Sequence, residues 1–305
     1  MEEYDAIARF EQAASLLPPF WQRTANHLAD WQKASAEELR LRVGQPMTVL
    51  LSEGERLPES HLPAVTQEDL EQLCNSVTGY SAYAFQESMR QGYLTARGGF
   101  RIGLCGTAVI RHGENTALRD YSSAVIRIGR EKRGVAEKIM GQVLEVGQFV
   151  NTLILAPPGL GKTTLLRDMV RILSDGTEST PAYRVALSDE RGEVAAMYQG
   201  QPQMAVGCHT DVMDACPKAL AIPMLLRCTN PQIVAVDEIT AREDLSVMEQ
   251  AANCGVKLLA TIHACDRQEL ERKPLFQCLL EMGVFERSIT ITRIGKERQY
   301  RVERL

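Results

Sequence analysis

The chain has 305 residues, 45% hydrophobic and 24% charged, with a formal net charge of −5 and a pI near 5.7. This is the balance of a globular protein with room for two ordinary domains, and it excludes bulk electrostatic attraction to nucleic acid or to an anionic membrane. No apolar run approaches the ~20 residues needed to span a bilayer; the best candidate, ALAIPMLL between Lys218 and Arg227, is far too short.

The amino terminus, MEEYDAIARFEQAA, starts acidic and lacks a basic region followed by an apolar one, so it is not read as a secretory signal and a cytoplasmic location is expected. Helical patterns run from Glu3 to Leu16 and from Pro19 to Asp30, separated at Pro18-Pro19, which cannot sit inside a helix. ELRLRVG and MTVLL flank Gly44-Gln45-Pro46 and predict a β-hairpin. Helices are predicted near Thr66 to Ser76 and Ala82 to Gln91. YLTARGGFRIGLCGTAVIRHG alternates as two or three strands turning at Gly98-Gly99, and SSAVIRIGR adds one more. Together these form a smaller α+β amino-terminal domain over residues 1–140, with Lys132 to Val146 reading as a helix or a linker.

Residues 141–305 change character. Strand patterns (VNTLILA, YRVALSD, QIVAVDE, VKLLATIH) alternate with helical ones (GKTTLLRDMVRIL, RGEVAAMY, DLSVMEQAANCG), which predicts an α/β domain with a parallel sheet covered on both faces. The tail SITITRIGKERQYRVERL alternates around Gly295-Lys296-Glu297 and reads as an antiparallel hairpin at the sheet edge. The eight cysteines lie in apolar stretches without a CxxC pair, so neither a metal cluster nor a disulfide framework is expected, and reduced core cysteines are.

A P-loop requires a buried strand, a loop whose N–H groups converge on phosphate, a lysine for the β- and γ-phosphates, a hydroxyl for Mg²⁺ and a following helix. Thr152 to Leu155, then Ala156-Pro157-Pro158-Gly159-Leu160-Gly161-Lys162-Thr163, then TLLRDMVRIL supply every part, with Ala156 where the strict pattern has glycine. ATP and Mg²⁺ are the expected ligands. Pro158, Gly159, Leu160, Gly161, Lys162, Thr163 and Thr164 are the expected nucleotide contacts, and Lys162 is expected to face solvent while the site is empty. Strand Ile233 to Val236 ends in Asp237-Glu238, one carboxylate for Mg²⁺ together with Thr163 and one to orient the attacking water. Ser188-Asp189-Glu190-Arg191 with Glu193, and Thr261-Ile262-His263, fall at other strand ends, where ligands bind in open parallel sheets. Arg97, Arg101 and Arg127 cluster late in the first domain, able to complete a site in cis or on a neighbouring subunit.

In order, APPGLGKTTLLRD, LSDERGEVA, GCHTDVMDACPKA, MLLRCTNPQIVAVDE and LLATIHA, with EELRLRVGQP and GGFRIGLCG in the first domain, resemble the motif series of the stage III sporulation protein AA family. That family is similar to the secretion and type IV pilus ATPases. The resemblance implies a RecA-like P-loop ATPase core behind a mobile amino-terminal domain, a homo-hexameric ring, and ATP hydrolysis coupled to membrane-embedded channel proteins between mother cell and forespore. It implies peripheral placement at the inner face of a membrane through those partners. By the same resemblance Gly159, Gly161, Lys162 and Thr163 form the Walker A motif, Asp189, Glu190 and Glu193 an acidic box, Asp237 and Glu238 the Walker B motif, and His263 a histidine box. Glu238, Glu190 and Lys162 become the catalytic candidates, and Arg127 stands where relatives carry an arginine that approaches the nucleotide. The broader secretion group has an arginine just after the Walker B glutamate; here Thr240 takes that place and Arg242 is the nearest arginine, without an assigned role. The competing reading is a nucleotide-gated nucleic-acid-binding module that uses ARGGFRIG, which lacks an aromatic platform and a basic GxxG loop.

Overall fold

The computed structural model describes every residue except 1, 80–84, 91, 112–113, 130 and 296. The chain divides into two compact units, Met1–Arg130 with Tyr198–Gln203, and Glu131–Met197 with Met204–Leu305.

In the first unit, helices α1 (Glu2–Ala14), α2 (Pro19–Asn26) and α3 (Asp30–Ser35) precede strands β1 (Ala36–Arg42), β2 (Thr48–Leu51) and β3 (Gly54–Arg56). Helices α4 (Gln67–Thr78) and α5 (Gln86–Arg90) and strands β4 (Tyr93–Ala96), β5 (Phe100–Arg111) and β6 (Glu114–Arg127) complete it. The six strands form one antiparallel sheet in the order β3-β2-β1-β6-β5-β4. Its alternation is visible in β1, where Leu39 and Leu41 are buried and the intervening Arg40 is not, so one face packs with Phe10, Trp21, Phe100 and Ile126 into a single core. Thr66 caps α4 reciprocally: its hydroxyl accepts from the Asp69 N–H at 3.2 Å while the Asp69 carboxylate accepts from the Thr66 N–H at 2.8 Å. The expected hairpin forms between β1 and β2. Helix α3 was not expected, and the last strand begins at Glu114 instead of Ser122 because β5 and β6 pair as one long ribbon. Of the helix expected over Ala82 to Gln91, Gln86–Arg90 forms α5, and 82–84 and Gln91 lie outside the described residues.

The second unit opens with α6 (Glu137–Met140), a 3-10 turn (Gly141–Val143) and the small hairpin β7 (Leu144–Glu145) and β8 (Gln148–Phe149), which together occupy the stretch read as helix or linker. The Ala136 N–H donates to the Asp168 carboxylate at 2.8 Å, and Arg171 pairs with the same carboxylate at 2.7 Å. There follow β9 (Thr152–Leu155), α7 (Lys162–Asp175), β10 (Val185–Asp189), β11 (Thr210–Asp214), α8 (Lys218–Thr229), β12 (Ile233–Val236), α9 (Arg242–Asn253) and β13 (Lys257–Ile262). The unit ends with α10 (Arg267–Arg272), α11 (Pro274–Glu281), β14 (Arg287–Ile294) and β15 (Glu297–Arg304).

The sheet order is β11-β10-β12-β13-β9-β14-β15, parallel throughout until β15 turns back on β14. The expected edge hairpin is therefore present, its turn residue Lys296 lying outside the described residues. Alternate strand residues serve opposite faces: Ile154, Leu187, Ala235 and Leu259 pack under α7, whereas Leu155, Val234, Val236 and Leu258 pack with residues of α8, α9 and α11. A strand apolar on both sides reads as a continuous run, which explains why LILA and IVAV carry no polar interruption. Strand β11 escaped sequence reading because TDVMD is only partly buried at the sheet end, and α8 was noted only as too short to span a membrane.

All eight cysteines are free, but only Cys74 is buried, and Cys105, Cys208, Cys228, Cys254 and Cys265 are exposed. The expectation of core cysteines fails because apolar neighbours in sequence do not decide which way a side chain points. Among the described residues no helix is long and apolar enough to cross a membrane.

Segment 207–209 braces the end of α7. The His209 N–H donates to Ser174 Oγ at 2.7 Å, and Gly207 at φ 87° lets the chain approach so closely that an added Cβ would overlap Ser174 Cβ and sit 3.0 Å from the Arg171 carbonyl oxygen. Gly207→Ala therefore combines left-handed strain with overpacking, and is expected to destabilise by about 2–4 kcal/mol. Urea unfolding followed by circular dichroism checks this; a variant as stable as the parent would show that the brace is dispensable.

Candidate functional site

Strand β9 delivers the chain into Ala156 to Gly161, and α7 begins at Lys162. Gly161, at φ 97°, stands immediately before a 14-residue helix whose first turn has neither a side-chain cap nor an acidic residue. The leading N–H groups of α7 and its positive dipole end are thus capped by no side chain or acidic residue of that turn, the arrangement that favours a bound phosphate. Pro158 and Gly159 are exposed at the loop's apex, Leu160 packs against the core beneath, and Thr163 and Thr164 occupy the first turn.

Lys162 does not face solvent as expected. It is 7% exposed, and its ammonium donates to the Ala156 carbonyl oxygen at 3.1 Å and to His263 Nδ1 at 2.7 Å. Desolvation pushes its pKa down, opposed by the charges of Glu238, Asp237 and Glu193. The expectation fails because the side chain folds back under the loop, where a buried ammonium must find acceptors, here the Ala156 carbonyl oxygen and His263. The ring of His263 continues the chain, Nε2 lying 3.0 Å from Glu238 Oε1, and Glu238 Oε2 lies 3.5 Å from Arg191. Residues at the ends of β9, β12 and β13 are so joined in one polar line.

Asp237 and Glu238 follow β12 directly. Thr261 Oγ1 donates to Asp237 Oδ1 at 3.2 Å and accepts the Glu238 N–H at 2.9 Å. Glu238 itself has φ 53°, a left-handed backbone that costs a non-glycine residue free energy and here aims its carboxylate back toward His263. Burial, together with the nearby charges of Asp189, Glu193 and Glu238, pushes Asp237 up to about 7.

Asp189, fully buried at the end of β10, accepts N–H bonds from Glu193 (2.9 Å), Val194 (3.1 Å) and Ala195 (2.8 Å). These bonds replace helical ones. RGEVAAMY, expected to be helical, is accordingly a loop, and Ala196 enters the left-handed region at φ 49°. Burial raises the pKa of Asp189 against the pull of those three donors and of Arg167. Arg167, on α7, donates to the carbonyl oxygens of Val194 and Glu193, each at 2.6 Å, locking the loop onto the helix that follows the phosphate-loop segment. Glu190 pairs with Lys218 at the start of α8. Glu190, Arg191, Lys218, Asp237, Glu238 and Thr240 line one polar cleft.

Lys162, Asp237, Glu238, Glu190 and His263 thus converge in the second unit. Arg127 lies in the first unit on β6, opposite Glu38 and Arg101 in the ladder and 3.6 Å from the Glu38 carboxylate; Arg101 stacks on Tyr93 with 4.1 Å from guanidinium carbon to ring centre. Arg97 and Arg242 are exposed. Lys218 and Arg167 were missed by sequence reading, although Lys218 is the one basic residue in DACPKA and Arg167 interrupts an apolar helix, signals of a buried partner.

A parallel sheet with a strand-loop-lysine-helix unit, carboxylates at the ends of neighbouring strands and a smaller α+β unit defines a RecA-like P-loop ATPase fold. The chain belongs to the family described as sporulation stage III, protein AA, which matches residues 21–301. It is 34% identical over 282 residues to stage III sporulation protein AA of Bacillus subtilis (strain 168), covering 92% of this chain and 91% of that one. Its fold is similar to that of the ATPase DotB of Legionella pneumophila, with a TM-score of 0.61 at 16% identity over 94% of this chain and 80% of that chain. It is also similar to the pilus retraction motor PilT solved with bound ADP, with a TM-score of 0.61 at 18% identity over 88% of this chain and 79% of that chain.

The raised pKa of Asp237 has a measurable sign. The folded form keeps a proton that the unfolded chain releases from its ordinary 3.8 upward, so this group's contribution to stability is present below that value and is lost as pH rises toward about 7. In Mg²⁺-free buffer, Asp237→Asn is expected to flatten the fall in stability across that window by up to roughly 1.4 kcal/mol per pH unit. Urea titrations at a series of pH values test it, and parallel slopes for the two proteins would contradict it.

Proposed function

We propose that the chain is the ATP-binding and ATP-hydrolysing subunit of a sporulation complex that spans the envelope between mother cell and forespore. The observation that carries this reading is the line Lys162–His263–Glu238 beside an uncapped α7, with Asp237 next to it. It assembles in one place a cation for phosphate, a helix end for phosphate and a carboxylate for water. The residues 158–164 contact the nucleotide's phosphates. Lys162 leaves Ala156 and His263 for the β- and γ-phosphates, and the loop N–H groups receive the remaining charge.

The donor chemistry suits a magnesium ion: Asp237 is a buried carboxylate beside Asp189, Glu193 and Glu238, with the Thr261 hydroxyl bonded to it, an oxygen-rich surrounding in which a dication would offset both burial and repulsion. Thr163 and Asp237 would hold it, and bound there it supplies neutralisation of phosphate charge. Glu238 orients and accepts a proton from the attacking water, with His263 steadying its carboxylate. Glu190, paired with Lys218, shapes the far side of the cleft, and Glu193 adds to the negative field.

Developing phosphoryl charge requires cationic help at close range, and we assign that help to Arg127 in a homo-hexameric ring. The functional division is residues 1–140 and 141–305, the former carrying Arg127 and the latter the catalytic core. The output is movement transmitted to membrane-embedded channel proteins, with the chain peripheral at the inner face of the membrane. The nucleic-acid reading loses ground because Phe100, the aromatic of ARGGFRIG, is 1% exposed beneath the Arg9 guanidinium and offers no stacking platform.

Lys162→Ala is expected to abolish nucleotide binding. Glu238→Gln should keep ATP bound while turnover falls by about 10²-fold or more, with Glu190→Gln between that variant and the parent. Nucleotide-binding fluorescence paired with phosphate release reads both effects. Unchanged turnover in Lys162→Ala removes the phosphate-loop assignment, and a greater loss in Glu190→Gln than in Glu238→Gln moves the base to Glu190.

For a site shared between subunits, turnover per chain rises with concentration, and Arg127→Ala chains mixed with Lys162→Ala chains recover part of the activity each lacks alone. Flat specific activity and no recovery despite confirmed co-assembly leave Arg127 acting within its own chain or in structure alone.

A further inference from the structure

The hairpin of β14 and β15 places a second cation, a guanidinium, at the phosphate loop. An added Cβ on Gly161 would lie 2.9 Å from Arg298 Cζ and 3.0 Å from its Nη1, so the guanidinium rests directly against the residue that precedes α7. Arg298 is exposed, and among the described residues no carboxylate or carbonyl oxygen is bonded to it. In the β14–β15 ladder it stands opposite Arg293, a like-charge pair that opposes strand pairing. An unneutralised cation laid on a phosphate-binding loop, at an electrostatic cost to its own hairpin, is the arrangement expected of a group awaiting an anion.

The sheet order says which part of that anion it meets. Strand β9 lies between β13 and β14. The carboxylates Asp237 and Glu238 follow β12, beyond β13, whereas Arg298 rides on β15, beyond β14. A nucleotide whose terminal phosphate points toward Asp237 and Glu238 therefore extends its nucleoside end toward the hairpin.

We propose that Arg298 is a nucleotide-binding residue that holds the α-phosphate of the bound nucleotide from the side opposite the Asp237–Glu238 carboxylates. This rests on the phosphate-loop reading above. Gly161 is then required twice, for its left-handed backbone and for the room its missing side chain leaves for the arginine.

The test uses the full-length chain and two probes, ADP and inorganic pyrophosphate, titrated calorimetrically against the parent protein, Arg298→Ala, Arg298→Lys and Lys162→Ala. Pyrophosphate carries two linked phosphates and no nucleoside end. Arg298→Ala is expected to weaken ADP about tenfold, the loss of one charged hydrogen bond, while pyrophosphate binding stays within about twofold of the parent; Arg298→Lys keeps part of the ADP affinity because its charge remains. Lys162→Ala is expected to lose both ligands. If Arg298→Ala binds ADP as the parent does while Lys162→Ala does not, the phosphate loop stands and the Arg298 assignment falls. Equal weakening of ADP and pyrophosphate would mean that Arg298 only shapes the loop, which also overturns it. If Lys162→Ala still binds ADP as the parent does, the phosphate-loop reading fails and the Arg298 proposal fails with it. Arg298 is exposed on an edge strand, so its variants are expected to fold, and matching thermal unfolding curves verify that they do.

Discussion

The hydrogen bond between the Lys162 ammonium and His263 ties the site together. It links the first residue of α7, which follows β9, to the end of β13, and through His263 to Glu238 after β12, so residues beyond three strands share one polar connection. A buried ammonium without acceptors is too costly to leave standing. The chain meets that requirement with a backbone carbonyl and an imidazole. The same physics that buries the lysine keeps it poised beside the helix end, and its lowered pKa follows from the desolvation involved.

Around that line the protein spends backbone hydrogen bonds on holding carboxylates in place. Asp189 gathers three N–H groups from the loop that would otherwise have continued as a helix, and Arg167 pins the same loop by two of its carbonyls. Thr261 does the equivalent for Asp237 and Glu238, donating to one and accepting from the backbone of the other. The left-handed backbone at Glu238 is tolerated because neighbours on both sides determine it. These bonds are concentrated on the carboxylate side of the cleft, whereas Pro158 and Gly159 stand exposed at the apex of the loop.

Much of this was legible in the sequence, for reasons that also explain what was not. Strands buried on both faces announce themselves as unbroken apolar runs, so β9, β10, β12 and β13 and the polar residues at their ends could be placed without coordinates. The glycines and lysine of the loop carry a spacing that few other arrangements need. What the sequence hid were contacts fixed by strand order. Lys162 and His263 are 101 residues apart and meet only because β13 lies beside β9. The non-helical path of RGEVAAMY depends on a carboxylate buried beneath it, which helical propensity cannot report. Arg298 was invisible because a basic residue in an edge hairpin reads as a solvated one until Gly161 is found under it.

Charge counting gives the arrangement its direction. Asp189, Glu190, Glu193, Asp237 and Glu238 face Lys162, Arg167, Arg191 and Lys218 in and around the cleft, and several of the cations are already committed: Arg167 to loop carbonyls, Lys218 to Glu190, Arg191 to Glu238. A triphosphate brings more negative charge than Lys162 alone can balance in a site where water is partly excluded. Binding therefore demands positive charge from outside this set, and each proposed source answers a different part of the demand. In the proposed reading a dication would meet the terminal phosphates beside Asp237, and Arg298 would meet the nucleoside side across β9. A site whose cations are mostly committed to protein partners is one whose occupancy can be made to depend on where further cations are. Coupling nucleotide to movement requires that dependence.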